Sequence, residues 1–179
     1  MTPFERAFAH TIGLEGGCSD NPADRGGPTK YGVTERVARA NGYDGPMREL
    51  TLAFAQAIAR RQYWSTLRLD EVADVWVSVA CELFDTGYNM GVGTAGKFLQ
   101  RSLNALNQRG AKYPDVRADG LVGPLTIMAL AAFRDVRGAP GEAVLLKALN
   151  ALQGARYIEI AERDPSQEDF VYGWLLNRA

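Results

Sequence analysis

Two carboxylates near the start of the chain have the type and spacing for acid–base chemistry. Glu15 closes an apolar helical run, and Asp24 follows nine residues later in a segment rich in Gly, Pro, Asn and Asp. Such a composition disfavours both a helix and an interior strand. Cleavage of a glycosidic bond commonly uses a protonated carboxyl group at the leaving oxygen and a second carboxylate across a cleft. Glu15 and Asp24 are candidates for that pair.

The element that must position Glu15 is the helix before it. Phe4, Phe8 and Ile12 recur at helical spacing and predict a helix over residues 3–14. A carboxylate at the C-terminal end of a helix is slightly disfavoured by the helix dipole, and partial burial raises its pKa further. Both effects favour a proton on Glu15 near neutral pH, as a general acid requires.

Residues 16–33 are predicted to form a long loop, and such a loop inside a compact domain usually carries function. Thr29 lies in this loop and completes the pattern Glu-x8-Asp-x4-Thr. Each of Glu15, Asp24 and Thr29 taken alone would most often be a solvated or turn-forming residue. The three together are much more specific.

The segment from Glu15 to Thr34 resembles the glycoside hydrolase family 108 N-acetylmuramidases, which occur in phage endolysins and in bacterial peptidoglycan-editing enzymes. The resemblance implies that Glu15 is the general acid and that Asp24 and Thr29 hold or activate the attacking water. One departure is Cys18, where the family usually has an aromatic residue such as Tyr. The matching residues are Glu15-Gly16-Gly17 and Asn21-Pro22-Ala23-Asp24-Arg25-Gly26-Gly27-Pro28-Thr29-Lys30-Tyr31-Gly32-Val33-Thr34.

Further helices are predicted downstream of the motif. Thr34 and Thr51 suit the N-cap positions of two of them, a short helix to Asn41 and a longer one to Trp64, whose indole is expected in the core. The run 72–90 is apolar on most sides, which predicts a central helix buried by several others. Residues 94–107 carry another apolar helical stripe.

The end of the predicted central helix resembles the Asn-x-Gly segment of the same family. Tyr31 in the motif and Tyr88 and Asn89 at this helix end are the predicted glycan contacts. Glu82 and Asp85 in the same helix are rival second carboxylates. By default they are helix-surface or buried-pair residues, and both rank below Asp24.

The C-terminal region contains an Asp-Gly-x-x-Gly-Pro-x-Thr turn at 119–126, followed by a short apolar helix to Phe133. This pattern resembles the small peptidoglycan-binding module commonly attached to family 108 enzymes. It is equally compatible with a turn and helix that complete the core, and the two interpretations are not exclusive. Helices are also predicted over 141–163 and 168–178, with Trp174 in the core.

The predicted fold is all-α and lysozyme-like, with about seven helices around the buried central helix. A single globule is expected, because 179 residues hardly suffice for two large domains. Residues 1–92 are predicted to form the lysozyme-like catalytic region. Residues 93–179 are predicted to form a helical region that resembles the peptidoglycan-binding module and packs on the first.

The composition argues against several classes of partner. A net charge of −1 with 23% charged residues predicts no nucleic-acid partner. The sequence shows neither a signal peptide nor the roughly 18 consecutive apolar residues of a membrane span, so stable membrane insertion is not expected. We expect a monomer, made in the cytoplasm, that acts in the periplasm or cell wall after holin-dependent or secretion-dependent release.

No cofactor or metal is expected, because the single histidine, His10, is opposite the apolar stripe of its helix and no His/Cys cluster has ligand spacing. Cys18 and Cys81 are expected to be free thiols.

The predicted function is a peptidoglycan hydrolase that cleaves the β-1,4 bond between N-acetylmuramic acid and N-acetylglucosamine, in host lysis or in cell-wall editing for secretion or release. Inversion and retention of configuration stay open, because they depend on the separation of the two carboxyl groups. The alternatives are a catalytically inactive peptidoglycan-binding protein, whose expected mark would be the loss of Glu15, and a chitinase-like hydrolase.

Overall fold

The computed structural model describes residues 1–13, 18–19 and 28–178. Within these ranges the chain forms eight α-helices and three two-residue strands, so the prediction of an all-α fold is confirmed. The strands are β1 (Cys18–Ser19), β2 (Thr29–Lys30) and β3 (Val33–Thr34). The helices are α1 (Pro3–Gly13), α2 (Glu35–Ala40), α3 (Leu52–Ala59), α4 (Leu69–Val75), α5 (Val77–Met90), α6 (Val92–Leu106), α7 (Pro124–Arg163) and α8 (Glu168–Arg178). Short 3-10 turns occur at Met47–Glu49 and Pro165–Gln167, and a π-helical turn follows α3 at Arg60–Trp64.

Two threonines start helices as their positions predict. The Thr34 hydroxyl accepts a hydrogen bond from the Val37 amide at 3.3 Å, and the Thr51 hydroxyl accepts one from the Phe54 amide at 3.2 Å. Each bond satisfies one of the amides that a helix start leaves without a partner. Both N-caps are confirmed.

Strand pairing occurs inside the segment predicted as a loop, so that prediction is wrong for β1, β2 and the start of β3. β2 pairs antiparallel with both β1 and β3. The connection from β2 to β3 is only Tyr31 and Gly32, whose φ angles are 51° and 68°. The type I′ turn that joins strands through two residues requires positive φ at both of them, and glycine adopts a positive φ without a steric cost.

The apolar run 72–90 forms two helices instead of one. α4 ends at Val75, Trp76 takes an extended conformation with φ −150° and ψ 118°, and α5 begins at Val77. The Trp76 ring packs edge-on against Phe133 of α7, with ring centroids 6.0 Å apart. α5 is nevertheless the central helix that was predicted, because it contacts α1, α4, α6 and α7.

The helices predicted at 127–133 and 141–163 are joined in one span, α7, which is interrupted at Gly138. There φ is 58° and ψ is −155°, outside the helical region, and Pro140 follows two residues later. Proline removes a helical hydrogen bond and clashes with the preceding turn, so an interruption just before it relieves both.

One continuous hydrophobic core runs through the regions predicted as 1–92 and 93–179. Phe84 and Trp64 belong to it from the first, and Leu99, Phe133 and Leu145 from the second. Trp64 is fully buried, as predicted. The division of the chain after residue 92, at the start of α6, stays a prediction.

Trp174 was predicted to lie in the core, and this is wrong. α8 contains no buried residue, and Trp174 is half-buried. Its ring packs instead against Tyr157 and Phe170, with centroids 5.0 and 6.0 Å away. The cause is the position of α8 on the outside of α7.

Candidate functional site

Of the three predicted catalytic residues, Glu15 and Asp24 lie outside the described residues. Cys18 is described only by its backbone, which pairs with Lys30. Thr29 is described, as are the predicted glycan contacts Tyr31, Tyr88 and Asn89.

Thr29 is the first residue of β2, the middle strand of the small sheet. Its backbone pairs with Ser19 on one side and Thr34 on the other, and its side chain is half-buried. The carbonyl of the preceding Pro28 accepts a hydrogen bond from the Glu35 amide at 2.9 Å, which ties this strand to the start of α2. The sheet and α2 together fix the backbone on which Thr29 sits.

Tyr31 and Tyr88, predicted separately as glycan contacts, lie in direct contact. The Tyr88 hydroxyl donates a hydrogen bond to the Tyr31 carbonyl at 3.1 Å. A Cβ atom placed on Gly32 would lie 2.7 Å from Tyr88 Cε1 and 2.9 Å from Ile12 Cδ1. The hairpin turn therefore packs tightly against both α5 and the end of α1, and this approach requires glycine at position 32.

Asn89 is exposed on the last turn of α5. Its amide nitrogen donates to the Asp85 carbonyl at 2.8 Å, one helical turn earlier. That bond holds the side chain against the helix end. The structure thus places Asn89 next in sequence to Tyr88, on the element that also supports the hairpin.

Tyr63 joins this aromatic group, and the sequence analysis did not single it out. Its ring centroid lies 4.7 Å from that of Tyr88, and the Phe84 centroid lies 5.6 Å from Tyr88 on the same helix. Burial raises the pKa of the Tyr63 phenol. The Tyr63-Trp64 pair was visible in the sequence, but only the fold shows that Trp64 enters the core while Tyr63 meets Tyr88.

The rival carboxyl Glu82 has a strongly shifted pKa. Burial raises the pKa of Glu82 to about 7, the nearby Asp85 carboxylate adds to the rise, and the Thr86 hydroxyl opposes it. Thr86 Oγ1 donates to Glu82 Oε1 at 3.3 Å, and Asn150 donates to Oε2 at 3.2 Å when its amide is turned so that the nitrogen faces Glu82. A carboxyl group that titrates near neutral pH beside a cavity is a functional candidate on physical grounds.

Asp85 is a buried-pair residue, as its default interpretation predicted. Arg178 Nη1 donates to Asp85 Oδ1 at 2.9 Å, and only 4% of the Arg178 side chain and 9% of the Asp85 side chain are exposed. Gln153 Nε2 donates to Asp85 Oδ2 at 3.2 Å and to Thr86 Oγ1 at 3.1 Å. These partners leave Asp85 engaged in holding α5, α7 and α8 together.

Among the described residues no group of three or more His, Cys, Asp or Glu side chains is arranged to hold a metal ion. No helix in the part of the chain that the structure describes has the length and apolar character to cross a membrane.

Comparison with known families gives two matches that follow one another along the chain. Residues 8–91 match the family described as Glycosyl hydrolase 108, and residues 94–179 match the family described as Predicted Peptidoglycan domain. The structure is similar to that of Brucella abortus SagA, with a TM-score of 0.62 and 24% sequence identity over 98% of this chain and 94% of that chain. At this identity the similarity shows the fold alone. No curated protein matches the chain in sequence.

The two family matches confirm the resemblance drawn from the Glu15–Thr34 segment and from the C-terminal turn. They cover different halves of the chain and leave only the first residues and a short junction unmatched. The structural similarity to SagA spans both halves and agrees with the lysozyme-like fold. The chain therefore combines a region of the glycosyl hydrolase 108 family with a peptidoglycan domain, and it is a glycoside hydrolase directed at peptidoglycan.

Proposed function

We propose that the chain is an N-acetylmuramidase that hydrolyses the β-1,4 bond between N-acetylmuramic acid and N-acetylglucosamine. Glu15 protonates the leaving oxygen, and Asp24 and Thr29 hold the water that attacks the anomeric carbon. Water adds across the broken bond, so one product carries a new reducing end on N-acetylmuramic acid. N-acetylmuramic acid, which bears the peptide, and its neighbour N-acetylglucosamine form the glycan strand that a peptidoglycan hydrolase cleaves.

The observation that carries this proposal is the attachment of the Thr29-bearing hairpin to the end of α1. The Tyr88 hydroxyl bonds the Tyr31 carbonyl, and Gly32 sits against Ile12 and Tyr88. Glu15 follows the last residue of α1, Gly13, by two positions in the sequence. A general acid and its water must be held in a fixed mutual position, and α1 and the hairpin are the rigid elements next to them in the sequence.

Tyr31, Tyr88 and Asn89 are the proposed glycan contacts. Aromatic rings offer an apolar face to a sugar ring, and an exposed amide offers hydrogen bonds to an N-acetyl group. Asn89 is exposed and both tyrosines are half-buried. Because the Tyr88 hydroxyl is engaged with Tyr31, Tyr88 acts on the glycan through its ring.

The test compares the wild type with Glu15→Gln on purified peptidoglycan. The products are reduced with borohydride and analysed by mass spectrometry, which identifies the sugar at the new reducing end. Reduced N-acetylmuramic acid from the wild type and its loss in a folded Glu15→Gln protein would support the proposal. Reduced N-acetylglucosamine, or a product lighter by one water, would overturn the assigned bond or the hydrolytic step.

A matched control and a rival are available for the general acid. Glu162→Gln makes the same chemical change at an exposed position of α7 and should leave the rate unchanged. Glu82 is the rival, since its pKa of about 7 suits a general acid. Retained activity in Glu15→Gln together with loss in Glu82→Gln would move the acid to Glu82.

We further propose that the enzyme acts in the periplasm or cell wall, where its substrate lies, after holin-dependent or secretion-dependent release. Phage-type lysis and wall editing for secretion both fit this chemistry. Expression in a bacterial host with and without a holin distinguishes them: lysis that depends on the holin supports the first, and growth without lysis in both cases supports the second.

A further inference from the structure

A cavity of about 580 Å³ lies between α1, α5, α7 and α8. None of Thr29, Tyr31, Tyr88 and Asn89 lines it, so it is separate from the proposed glycan contacts that the structure describes. Its walls come from both family-matched halves of the chain, with α1 and α5 on one side and α7 and α8 on the other. The volume is in the range of pockets that hold a small molecule or a short peptide.

Besides the Asp85–Arg178 ion pair, two residues of opposite charge line this cavity from different helices. Arg6 lines it from α1 and Glu82 from α5. Both lie near the Cys81 thiol: burial raises the pKa of Cys81, Arg6 opposes the rise and Glu82 adds to it. Within the part of the chain that the structure describes, neither Arg6 nor Glu82 takes part in an ion pair. Among the described residues, the cavity is therefore lined by a cation and a carboxyl group that form no ion pair with each other.

Among the described residues, the other titratable side chains that line the cavity are those of His10, Cys81, Asp85 and Arg178. On α5, Asp85 is paired with Arg178 of α8 and accepts a further bond from Gln153. α1 contributes His10 on the same wall as Arg6. From α7 the lining residues are uncharged, Leu146 and Asn150. A ligand would consequently meet Arg6 on α1, Glu82 on α5, the Asp85–Arg178 ion pair and the uncharged side chains of α7.

We propose that this cavity binds a zwitterionic amino-acid group, with its carboxylate on Arg6 and its ammonium on Glu82. The guanidinium donates two parallel bonds to a carboxylate, and the Glu82 oxygens, which already accept from Thr86 and Asn150, keep lone pairs for an ammonium. Leu146 and Leu176 offer an apolar surface to aliphatic side chains. The peptides of peptidoglycan carry such groups, and a free amino acid is the other source; the link to peptidoglycan rests on the proposed function.

The test is calorimetric titration of the full chain with two probes, free diaminopimelate and the tetrapeptide L-alanyl-D-glutamyl-diaminopimelyl-D-alanine. We expect binding that weakens about tenfold or more when the probe's amines are acetylated or its carboxylates amidated, since each change removes one charge-assisted pair. Tighter binding of the tetrapeptide assigns the ligand to peptidoglycan, and equal binding assigns a free amino acid. No binding of either probe overturns the proposal.

Substitutions locate the site. Arg6→Gln and Glu82→Gln should each weaken binding about tenfold, Arg6→Lys should weaken it less, and Arg36→Gln, an exposed arginine on α2, should have no effect. In Glu82→Gln, acetylation of the probe's amines should cause no further loss of binding. In Arg6→Gln, amidation of the probe's carboxylates should cause no further loss of binding. Circular dichroism verifies that each variant is folded. Binding that both Gln variants leave unchanged overturns the assignment to this cavity.

Proton release gives an independent readout. The Glu82 carboxyl has a pKa of about 7, so about half of the molecules carry its proton at pH 7. An ammonium on Glu82 favours the ionised form, and binding should release up to about half a proton, measured by titration in buffers of different ionisation enthalpy. Glu82→Gln should abolish the release, and a release that persists in this variant counts against the site. None of these measurements involves glycan cleavage, so a chain that binds the probe but frees no sugar overturns only the proposed function.

Discussion

The phenol of Tyr88 on the central helix donates a hydrogen bond to the backbone carbonyl of Tyr31 at the tip of the small hairpin, over 3.1 Å. The two residues are 57 positions apart in the chain. Through this bond the helix that organises the core also fixes the turn that follows Thr29. The position of the proposed catalytic hairpin thus depends on a residue that the sequence suggested only as a glycan contact.

Removing this bond should loosen the hairpin without disturbing the core. Tyr88→Phe keeps the ring contact with Tyr63 and should lower the free energy of unfolding by about 1 kcal/mol, the usual contribution of one such bond. We expect the rate on peptidoglycan to fall further than this modest loss of stability accounts for. Urea unfolding and turbidity assays measure the two effects. Tyr172→Phe, at a side chain 78% exposed, is the matched control and should change neither.

Thr29 is expected to act through its hydroxyl. Thr29→Val keeps the β-branched shape that suits a strand but removes the hydroxyl, and should lower kcat by at least about tenfold if the hydroxyl holds the attacking water. Thr29→Ser should restore most of the rate. Equal rates for Thr29→Val and the wild type on purified peptidoglycan would remove Thr29 from the proposed mechanism.

Gly96 marks the closest approach of the turn before α7 to α6. A Cβ atom at this position would overlap the Gly120 carbonyl, so Gly96→Ala should destabilise the fold by about 1–3 kcal/mol or more. Gly93→Ala, in the same helix, meets nothing within 4 Å. It should instead stabilise the helix by about 0.5–1 kcal/mol. Thermal unfolding of the two variants should therefore shift in opposite directions, and a parallel shift would contradict this account of the contact.

The shifted pKa of Glu82 predicts a dependence of stability on pH. Its folded pKa of about 7 lies above the ordinary glutamate pKa of 4.5, so the folded chain binds the proton more tightly than the unfolded chain. The stabilisation of the fold by this proton is therefore complete below the unfolded pKa and is lost as the pH rises through about 7. The loss amounts to at most about 3 kcal/mol. Urea unfolding between pH 4.5 and 8 should show a shallower decline in Glu82→Gln than in the wild type.

Arg178 should couple the last helix to the core. Arg178→Met leaves the buried Asp85 carboxylate without its cation and should cost about 3 kcal/mol or more, since an unpaired buried charge is expensive. The double variant with Asp85→Leu should recover much of the loss. Fluorescence of Trp174, whose ring contacts that of Tyr157 of α7, reports whether α8 separates. Full recovery by Asp85→Leu would exclude any other major role for the pair.

The sequence was most informative where the signal is local. Thr34 and Thr51 cap helices because a hydroxyl before a helix needs only the next three residues to act. The break at Trp76 was missed because Phe133, the residue that its ring contacts, lies 57 residues further along the chain. The β2–β3 pairing was missed because two-residue strands carry no detectable alternation.

The same distinction between local and long-range signals applies to the functional residues. Glu15, Asp24 and Thr29 were found from their spacing within one short segment, although the first two lie outside the described residues. The cavity of Arg6 and Glu82 could not be found in this way, because α1, α5 and the last two helices are far apart in the sequence. Burial gives Glu82 its unusual pKa, and burial is a property of the packed helices and not of the neighbouring residues in sequence.

The continuous core has a consequence for engineering. Leu99, Phe133 and Leu145 of the peptidoglycan-domain half pack in the same cluster as Phe84 of the hydrolase half. A chimaera made by cutting at residue 92 and joining a foreign wall-targeting segment would expose the apolar side of α5 to water. Exchange of targeting segments between such enzymes therefore requires that the facing side chains of α5, α6 and α7 be transferred together, as the two sides of one interface.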